Sequence, residues 1–240
     1  MSIEGIFLSP SASMPMNSIQ QGQLIAGKGL DGDRYSECVG TYSVFRASKL
    51  HPGDREPGRQ LTLMSADSVE ESLDRNQLSR PKSLGDLRRN IIIRGVSAQD
   101  LLQAAGHVVK IGQECQVLIH RHTVPCMYNE RKNGIPGLME AIWNESGVSC
   151  QVLVGGHIRV GDSVEILSQQ EEIDDGKQLP GYYVPPSKRT ATMVKESLKQ
   201  RKLNMQKFAE IDPEGVERAS AAYETVGLTF WAKHWTKQQS

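Results

Sequence analysis

Long apolar runs are missing from the 240-residue sequence: the longest, such as Ile91, Ile92 and Ile93, fall far short of the ~20 residues that a bilayer span needs, so no membrane-crossing helix is expected. An excess of either charge sign is missing too. Lys and Arg total 28 against 28 Asp and Glu, which excludes the global basic surplus of a dedicated nucleic-acid or anionic-membrane binder and makes any anion site local. The N-terminal stretch MSIEGIFLSPSAS has neither a basic leader nor an uninterrupted apolar segment, so no signal or transit peptide is read and a cytoplasmic location is expected. Cysteine is scarce and irregularly placed. Cys38, Cys115, Cys126 and Cys150 form no C-x-x-C pair and no secreted disulfide framework, so most are expected to be buried thiols. The patterns of a P-loop, a GxGxxG dinucleotide turn, a GxSxG nucleophile elbow and an HExxH zinc helix are all absent, which removes the sequence support for those chemistries.

What is present is an ordinary globular composition, 38% hydrophobic and 23% charged with Gly 22 and Pro 11, enough for one large domain or one and a half. Residues 1–167 read as short extended segments broken by glycines, with three brief helices; residues 190–240 show helical spacing. A polar, proline-containing stretch over 168–189 reads as the linker between them. Strands are expected over 3–8, 60–64 and 90–94, the last apolar enough to be buried on both faces. Residues 107–118 and 157–167 both alternate around a Gly-Gln or Gly-Asp turn, which is hairpin chemistry. Helices are expected around 65–73, after the Ser97 and Asp100 capping pattern with Gly106 as its stop, and from Pro136 with Leu138, Met139, Ile142 and Trp143 on one face and Gly147 at its end. In the tail, Met193, Val194, Leu198, Met205 and Phe208 line one amphipathic face, and Asp212-Pro213 opens a further helix carrying Val216, Ala219 and Tyr223. The seven Lys or Arg over 188–207 read best as a solvated helix face. This pattern predicts a mainly β fold with some α, built as a mixed β-barrel-like core with short helices and a C-terminal helical appendage.

Three clusters could carry chemistry. Strict alternation over 116–124 puts Leu118, His120 and His122 on one strand face with Cys126 just beyond Pro125, a candidate soft-metal site. The plainer alternative, hydrogen-bonded histidines and an inert thiol, outweighs it because no fourth ligand stands at zinc spacing. The second cluster is Gly29-Leu-Asp-Gly-Asp-Arg-Tyr35, where Asp33 and Arg34 form either a surface ion pair on a turn or a donor fork for an anion. The third is Arg88-Arg89-Asn90 ahead of the isoleucine strand, with Arg94 after it; the guanidinium groups either snorkel at a barrel rim or bind an anion.

In order, the blocks GLDGDRY at 29–35, RQLTLMS at 59–65, RRNIIIRG at 88–95, the Ile111-Gly112 turn, HTVPC at 122–126, PGLM at 136–139 and GGHIRVGD at 155–162 resemble a MOSC domain, the module named for the C-terminal part of molybdenum cofactor sulfurases. The resemblance covers nearly all of residues 1–167 and implies a β-barrel-type fold holding a pyranopterin molybdenum cofactor, with Cys126 as metal thiolate ligand or sulfur carrier. Arg88 and Asn90 match the R-x-N that lies near the cofactor in related amidoxime- and hydroxylamine-reducing enzymes; Arg34, Ser65 and Arg121 are further cofactor-binding candidates. One departure stands out. Where many relatives carry an arginine-containing G-R-x-G, this chain reads Asn144-Glu-Ser-Gly147 and lacks that cation. The aminotransferase-like domain of full sulfurases is also absent, so pyridoxal phosphate is not expected.

The resemblance implies a molybdenum oxidoreductase that reduces N-hydroxylated or N-oxide small molecules, fed by a separate electron-donor protein. The alternatives are a non-redox carrier of sulfur or cofactor through a persulfide on Cys126 and a scaffold in which that cysteine only packs. Nucleic acid and membrane are not expected partners, and a homodimer is the one assembly left open.

Overall fold

A computed structural model describes residues 1–37, 57–169, 190–192, 195, 209–210 and 212–229. Strand β1 (Ser2–Leu8) is followed by β2 (Asn17–Ile19), β3 (Gln21–Ile25) and β4 (Gly29–Leu30). Next come β5 (Leu61–Ser65), helix α1 (Ala66–Arg75), β6 (Ile91–Arg94) and α2 (Ala98–Gln103). The hairpin β7 (His107–Ile111) and β8 (Cys115–His122) leads to α3 (Met127–Asn133) and α4 (Leu138–Ala141), and β9 (Val148–Val154), β10 (Gly156–Arg159) and β11 (Val164–Gln169) complete the sheets. Helix α5 (Pro213–Thr225) follows in the tail.

One eight-stranded sheet runs β11-β7-β8-β9-β5-β6-β1-β2, and a three-stranded sheet runs β10-β3-β4. The larger sheet is mixed because β5 and β6 are parallel, joined through α1, whereas its other pairs are antiparallel. It curls until its first and seventh strands meet at one bridge, Ser2 to Ser163, with Gly161 N donating to Ile3 O at 2.8 Å and Val164 N to Met1 O at 3.0 Å. No continuous ladder closes it. The barrel-like core expected from the sequence therefore holds as an open, strongly curved sheet.

Alternation fills the concave side. Ile3, Leu61, Leu63, Ile91, Ile93, Val109, Val117, Ile119, Val148 and Cys150 belong to a single buried cluster drawn from most strands. On the outer side Met64 and Ile92 pack under Val69 and Leu73 of α1 and Leu138 of α4. Strand β6 is thus covered on both faces, Ile91 and Ile93 inward and Ile92 outward, as its unbroken apolar run requires.

Two start signals act as read: Ser97 accepts from Asp100 N at 3.0 Å to cap α2, and Asp212 from Gly215 N at 2.8 Å to cap α5. Ser65, not read as a cap, accepts from Ser68 N at 3.1 Å and caps α1. Two expectations fail. Gly161 and Asp162 do form a turn, with Arg159 N donating to Asp162 Oδ2 at 2.8 Å, yet β10 pairs with β3 and β11 with β7, so residues 157–167 are not a hairpin. Turn chemistry is local, whereas each flanking strand found its partner elsewhere in the fold. The helix from Pro136 shrinks to Leu138–Ala141 and gives way to turns before Gly147, whose φ of +91° and close approach to the Leu63 carbonyl leave no space for a Cβ. Helix α3 and the short strands β2 to β4 add to the expected elements. Cys38, the linker stretch 170–189 and the tail positions Met193, Val194, Leu198, Met205 and Phe208 lie outside the described residues. Among the described residues no helix is long and apolar enough to cross a membrane.

Candidate functional site: a thiol among three cations

Cys126 stands where the extended segment after β8 turns into α3, with φ −133° and ψ 153°, and its side chain makes no capping bond. It is half-buried, unlike Cys115 and Cys150, which are enclosed. Burial pushes the Cys115 thiol up to about 11 and raises Cys150 further, so both are packing thiols.

Cations from three separate segments gather at the loop of residues 9–14, and one of them, Arg88, has Cys126 among its electrostatic neighbours. Arg88 caps the 3-10 turn Leu84–Leu87 in the left-handed region, at φ 62° and ψ 47°. Its electrostatic neighbours are Arg34, Tyr128, Tyr35 and Cys126; crowding by protein, and then the Arg34 charge, hold its guanidinium below the usual range. Lys132, one helical turn beyond Tyr128 on α3, is lowered in the same way by burial, Arg88 and Arg34, against the opposing pull of Asp86. Aromatic faces sit beside two of the three charges, with Arg34 4.7 Å from the Tyr35 ring centroid and Lys132 5.8 Å from that of Tyr128.

One loop, residues 9–14, supplies backbone oxygens to all three. Arg34 Nη1 donates to Ser9 O at 3.5 Å, Arg88 Nη1 to Met14 O at 2.7 Å and Lys132 Nζ to Ser13 O at 3.3 Å. Ser13 takes φ 64° in doing so, an uncommon conformation outside glycine. Carboxylates contribute little. Asp33 lies 4.0 Å from Arg34, but its oxygens accept from Ser9 N at 2.9 Å, Tyr35 N at 3.0 Å and Asn90 Nδ2 at 3.4 Å. Among the described residues positive charge is therefore in surplus beside Arg88 and its neighbour Cys126, and each cation gives a donor to a neutral oxygen that an anion could replace.

Of the residues singled out from the sequence, Arg34, Arg88 and Cys126 converge here, and Asn90 buttresses them. Its Oδ1 accepts from Thr62 N at 3.1 Å and Thr62 Oγ1 at 2.8 Å, while its Nδ2 donates to Phe7 O at 3.2 Å and reaches Asp33, so it ties the Arg34 loop to β1 and β5. Ser65 stands three residues along β5 from Thr62, ~10 Å away at strand rise; its hydroxyl donates to Val96 O at 2.6 Å and caps α1. Arg121 is 1% exposed within β8, in register with Ser149. Arg89, read with Arg88 as a rim or anion-binding arginine, turns inward instead. Its guanidinium donates to the carbonyls of Ser146 at 2.5 Å, Leu87 at 3.1 Å, Arg88 at 3.2 Å and Thr123 at 3.4 Å. The Asn144 to Gly147 segment, lacking its expected cation, is thereby anchored through Ser146 to the strand that leads to Cys126.

The histidine face does not form. A register shift in β8 between Ile119 and Arg121 pairs His122 with the inward-facing Val148, whereas Leu118 pairs with Gln151, so His120 and His122 end on opposite faces. His120 Nε2 lies 3.1 Å from Gln151 Oε1 and His122 Nε2 3.3 Å from Ser146 Oγ. Burial, with Arg89 adding to it, lowers His122 to about 4. No metal-binding group of three His, Cys, Asp or Glu occurs among the described residues. Sequence reading missed Tyr128, Lys132 and the carbonyl loop; the only signal was the helical spacing of Tyr128 and Lys132 after Cys126.

The MOSC domain family model matches residues 41–165, more than half of the chain. The chain belongs to the MOSC domain family. That match takes in Arg88, Asn90, Cys126 and Lys132 and leaves the carbonyl loop, Arg34 and α5 outside. The fold is similar to that of the YuaD protein from Bacillus subtilis, at 20% identity and a TM-score of 0.55 over 70% of this chain and 96% of that one. It is also similar to YiiM from Geobacillus stearothermophilus, at 14% identity and a TM-score of 0.50 over 95% of this chain and 98% of that one. At such identities the likeness is one of fold. No curated protein matches the sequence. MOSC domains are linked to molybdenum cofactor binding, and the donor set around Cys126 suits that group: a half-buried thiol for a soft metal and a surplus of cations for its phosphate-bearing pterin.

Proposed function

We propose that this MOSC chain binds a pyranopterin molybdenum cofactor at the Cys126 site and, loaded with it, reduces N-hydroxylated or N-oxide compounds with electrons from a separate donor protein. The observation that carries the reading is the surplus of positive charge around a half-buried thiol, its donors held by carbonyls of one loop. Cys126 Sγ is the metal ligand in this reading. Arg34, Arg88 and Lys132 hold the anionic groups, exchanging carbonyl oxygens for more strongly accepting phosphate oxygens. An anion also relieves the repulsion between Arg88 and Arg34. Asn90 and Asp33 act one step back, fixing the Arg34 loop. Bound there, the cofactor supplies two-electron redox chemistry. The substrate class comes from the family resemblance.

The test is elemental and pterin analysis of the full chain expressed in a host that makes the cofactor. Wild type is expected to carry molybdenum and pterin in near-equal amounts and to reduce hydroxylamines. Cys126→Ser is expected to fold normally, lose the metal and lose turnover. Wild type lacking both molybdenum and pterin would overturn the reading, and a cyanide-releasable sulfur on Cys126 without reductase activity would make the chain a sulfur carrier instead.

A further inference from the structure

Helix α5 lies outside the family match, yet it touches the site at two independent points. Tyr223 stacks on Tyr128 with ring centroids 4.6 Å apart and planes 10° from parallel. Tyr128 is only two residues past Cys126, and Lys132 approaches the same ring. One and two turns back along α5, Ala219 and Val216 bury themselves against Ala12. Ala12 belongs to the loop whose Ser9, Ser13 and Met14 carbonyls engage Arg34, Lys132 and Arg88.

Both elements need outside support. Helix α3 has seven residues, too few to be stable by themselves. The loop carries Ser13 in the left-handed region, a conformation that a residue with a side chain holds only against steric crowding. Residues on one face of α5 bear on both: an aromatic ring on the helix that presents the thiol and Lys132, and two small apolar side chains on the loop that orders the three cations.

We infer that Tyr223 is a positioning residue for the Cys126 site: docking of α5 through Tyr223, with Val216 and Ala219 seated on Ala12, fixes α3 and loop 9–14 in the arrangement that gathers Arg34, Arg88 and Lys132 beside the thiol. Helix α5 is then a wall of the site. Its consequence for anion binding rests on the reading proposed above; its effect on α3 and the loop does not. Because linkage is reciprocal, an anion held by the three cations also tightens the docking of α5.

The experiment uses the full chain as wild type, Tyr223→Ala, Tyr223→Phe and Val109→Ala, the last a core truncation on β7, away from α5. Hydrogen exchange read by mass spectrometry is expected to quicken ~3- to 10-fold in peptides covering 9–14 and 127–133 of Tyr223→Ala, the range that loss of one aromatic stack gives. Peptides from β5 and β9 should stay unchanged, and Tyr223→Phe, which keeps the ring, should quicken exchange over 9–14 and 127–133 less than Tyr223→Ala does. Val109→Ala should not reproduce the localised pattern at a comparable drop in melting temperature. Unchanged exchange over 9–14 and 127–133 in Tyr223→Ala overturns the inference. Titration with inorganic pyrophosphate separates the two readings. Wild type that binds it, with α5 protected and Tyr223→Ala binding several-fold more weakly, supports both; equal binding by the two overturns the positioning role. Wild type that binds none removes the anion site, and the exchange result alone then decides the role of Tyr223.

Discussion

Adjacent arginines should fail in opposite ways. Arg89 is 8% exposed and gives its guanidinium to four carbonyls on three chain segments, Leu87 and Arg88 ahead of β6, Thr123 ahead of Cys126, and Ser146 ahead of β9. Arg89→Met fills much of the volume but leaves those enclosed oxygens without their charged donor, a loss of about 3–5 kcal/mol out of the ~5–15 kcal/mol typical of a domain. With a urea dependence near ~3 kcal/mol per M, the unfolding midpoint should fall by about 1–2 M. Among the described residues Arg88 makes one hydrogen bond, to Met14 O at 2.7 Å near solvent, and it is opposed by its own desolvation and by Arg34. Arg88→Met forfeits that bond and relieves both penalties, so its stability should stay within ~1 kcal/mol of wild type. Anion binding should rank the other way, with pyrophosphate affinity lost in Arg88→Met and retained by whatever fraction of Arg89→Met is folded. Urea titration and pyrophosphate binding on the two variants decide the matter. Equal stability losses, or a larger one for Arg88→Met, would refute the division of the pair into an anchor and a ligand-binding group.

Acid should loosen the fold through His122. Its folded-state value, about 4, lies below the ordinary imidazole value of 6.5, so the unfolded chain takes up the proton first and stability is lost as pH falls from 6.5 towards 4. The loss from this residue totals roughly 3 kcal/mol, and urea titrations of wild type and His122→Gln between pH 4 and 7 should show the wild-type slope flattened by about one proton; identical slopes would discount the burial argument. Thiol labelling should be selective among the described cysteines. At pH 8 about one Cys115 thiol in a thousand is ionised when its value is about 11, and Cys150 is held higher still, so iodoacetamide followed by peptide mapping should mark Cys126 well before either. Early labelling of Cys150 in the folded protein would contradict the enclosed core.

Elements whose signals are local were readable. Ser97 and Asp212 cap helices because a short side chain meets the first free amide whatever surrounds it. The three isoleucines of β6 had to be covered on both faces. Elements that depend on a distant partner were not readable. The turn at Gly161 and Asp162 formed, but the pairing of its flanking strands was set by β3 and β7. The shift in β8 that separates His120 from His122 is a matter of register with β9, which alternation in one strand cannot reveal. Helix α3, with the sequence MYNERKN, has too little apolar spacing to announce itself; Tyr128 and Asn129 alone are buried, against partners far along the chain.

The site shows the same division and gives a reason for it. Arg34, Arg88 and Cys126 were named from short motifs, yet the property that joins them, a local surplus of charge in a chain with 28 cations and 28 acids, is created by where the acids point. Asp33 is spent inward, on Ser9 N, Tyr35 N and Asn90, so that it braces the Arg34 loop from 4.0 Å without closing on the guanidinium. Backbone carbonyls from loop 9–14 each take a donor from one of the three cations. Were those partners carboxylates, an incoming phosphate would have to displace a like charge from each ion pair. Neutral oxygens satisfy the same donors and leave the charge unspent, so exchange for an anion gains attraction at every cation. A loop of three serines, a proline, an alanine and a methionine carries no motif for such work, because what it contributes is its main chain, held in a loop whose Ala12 is seated against α5.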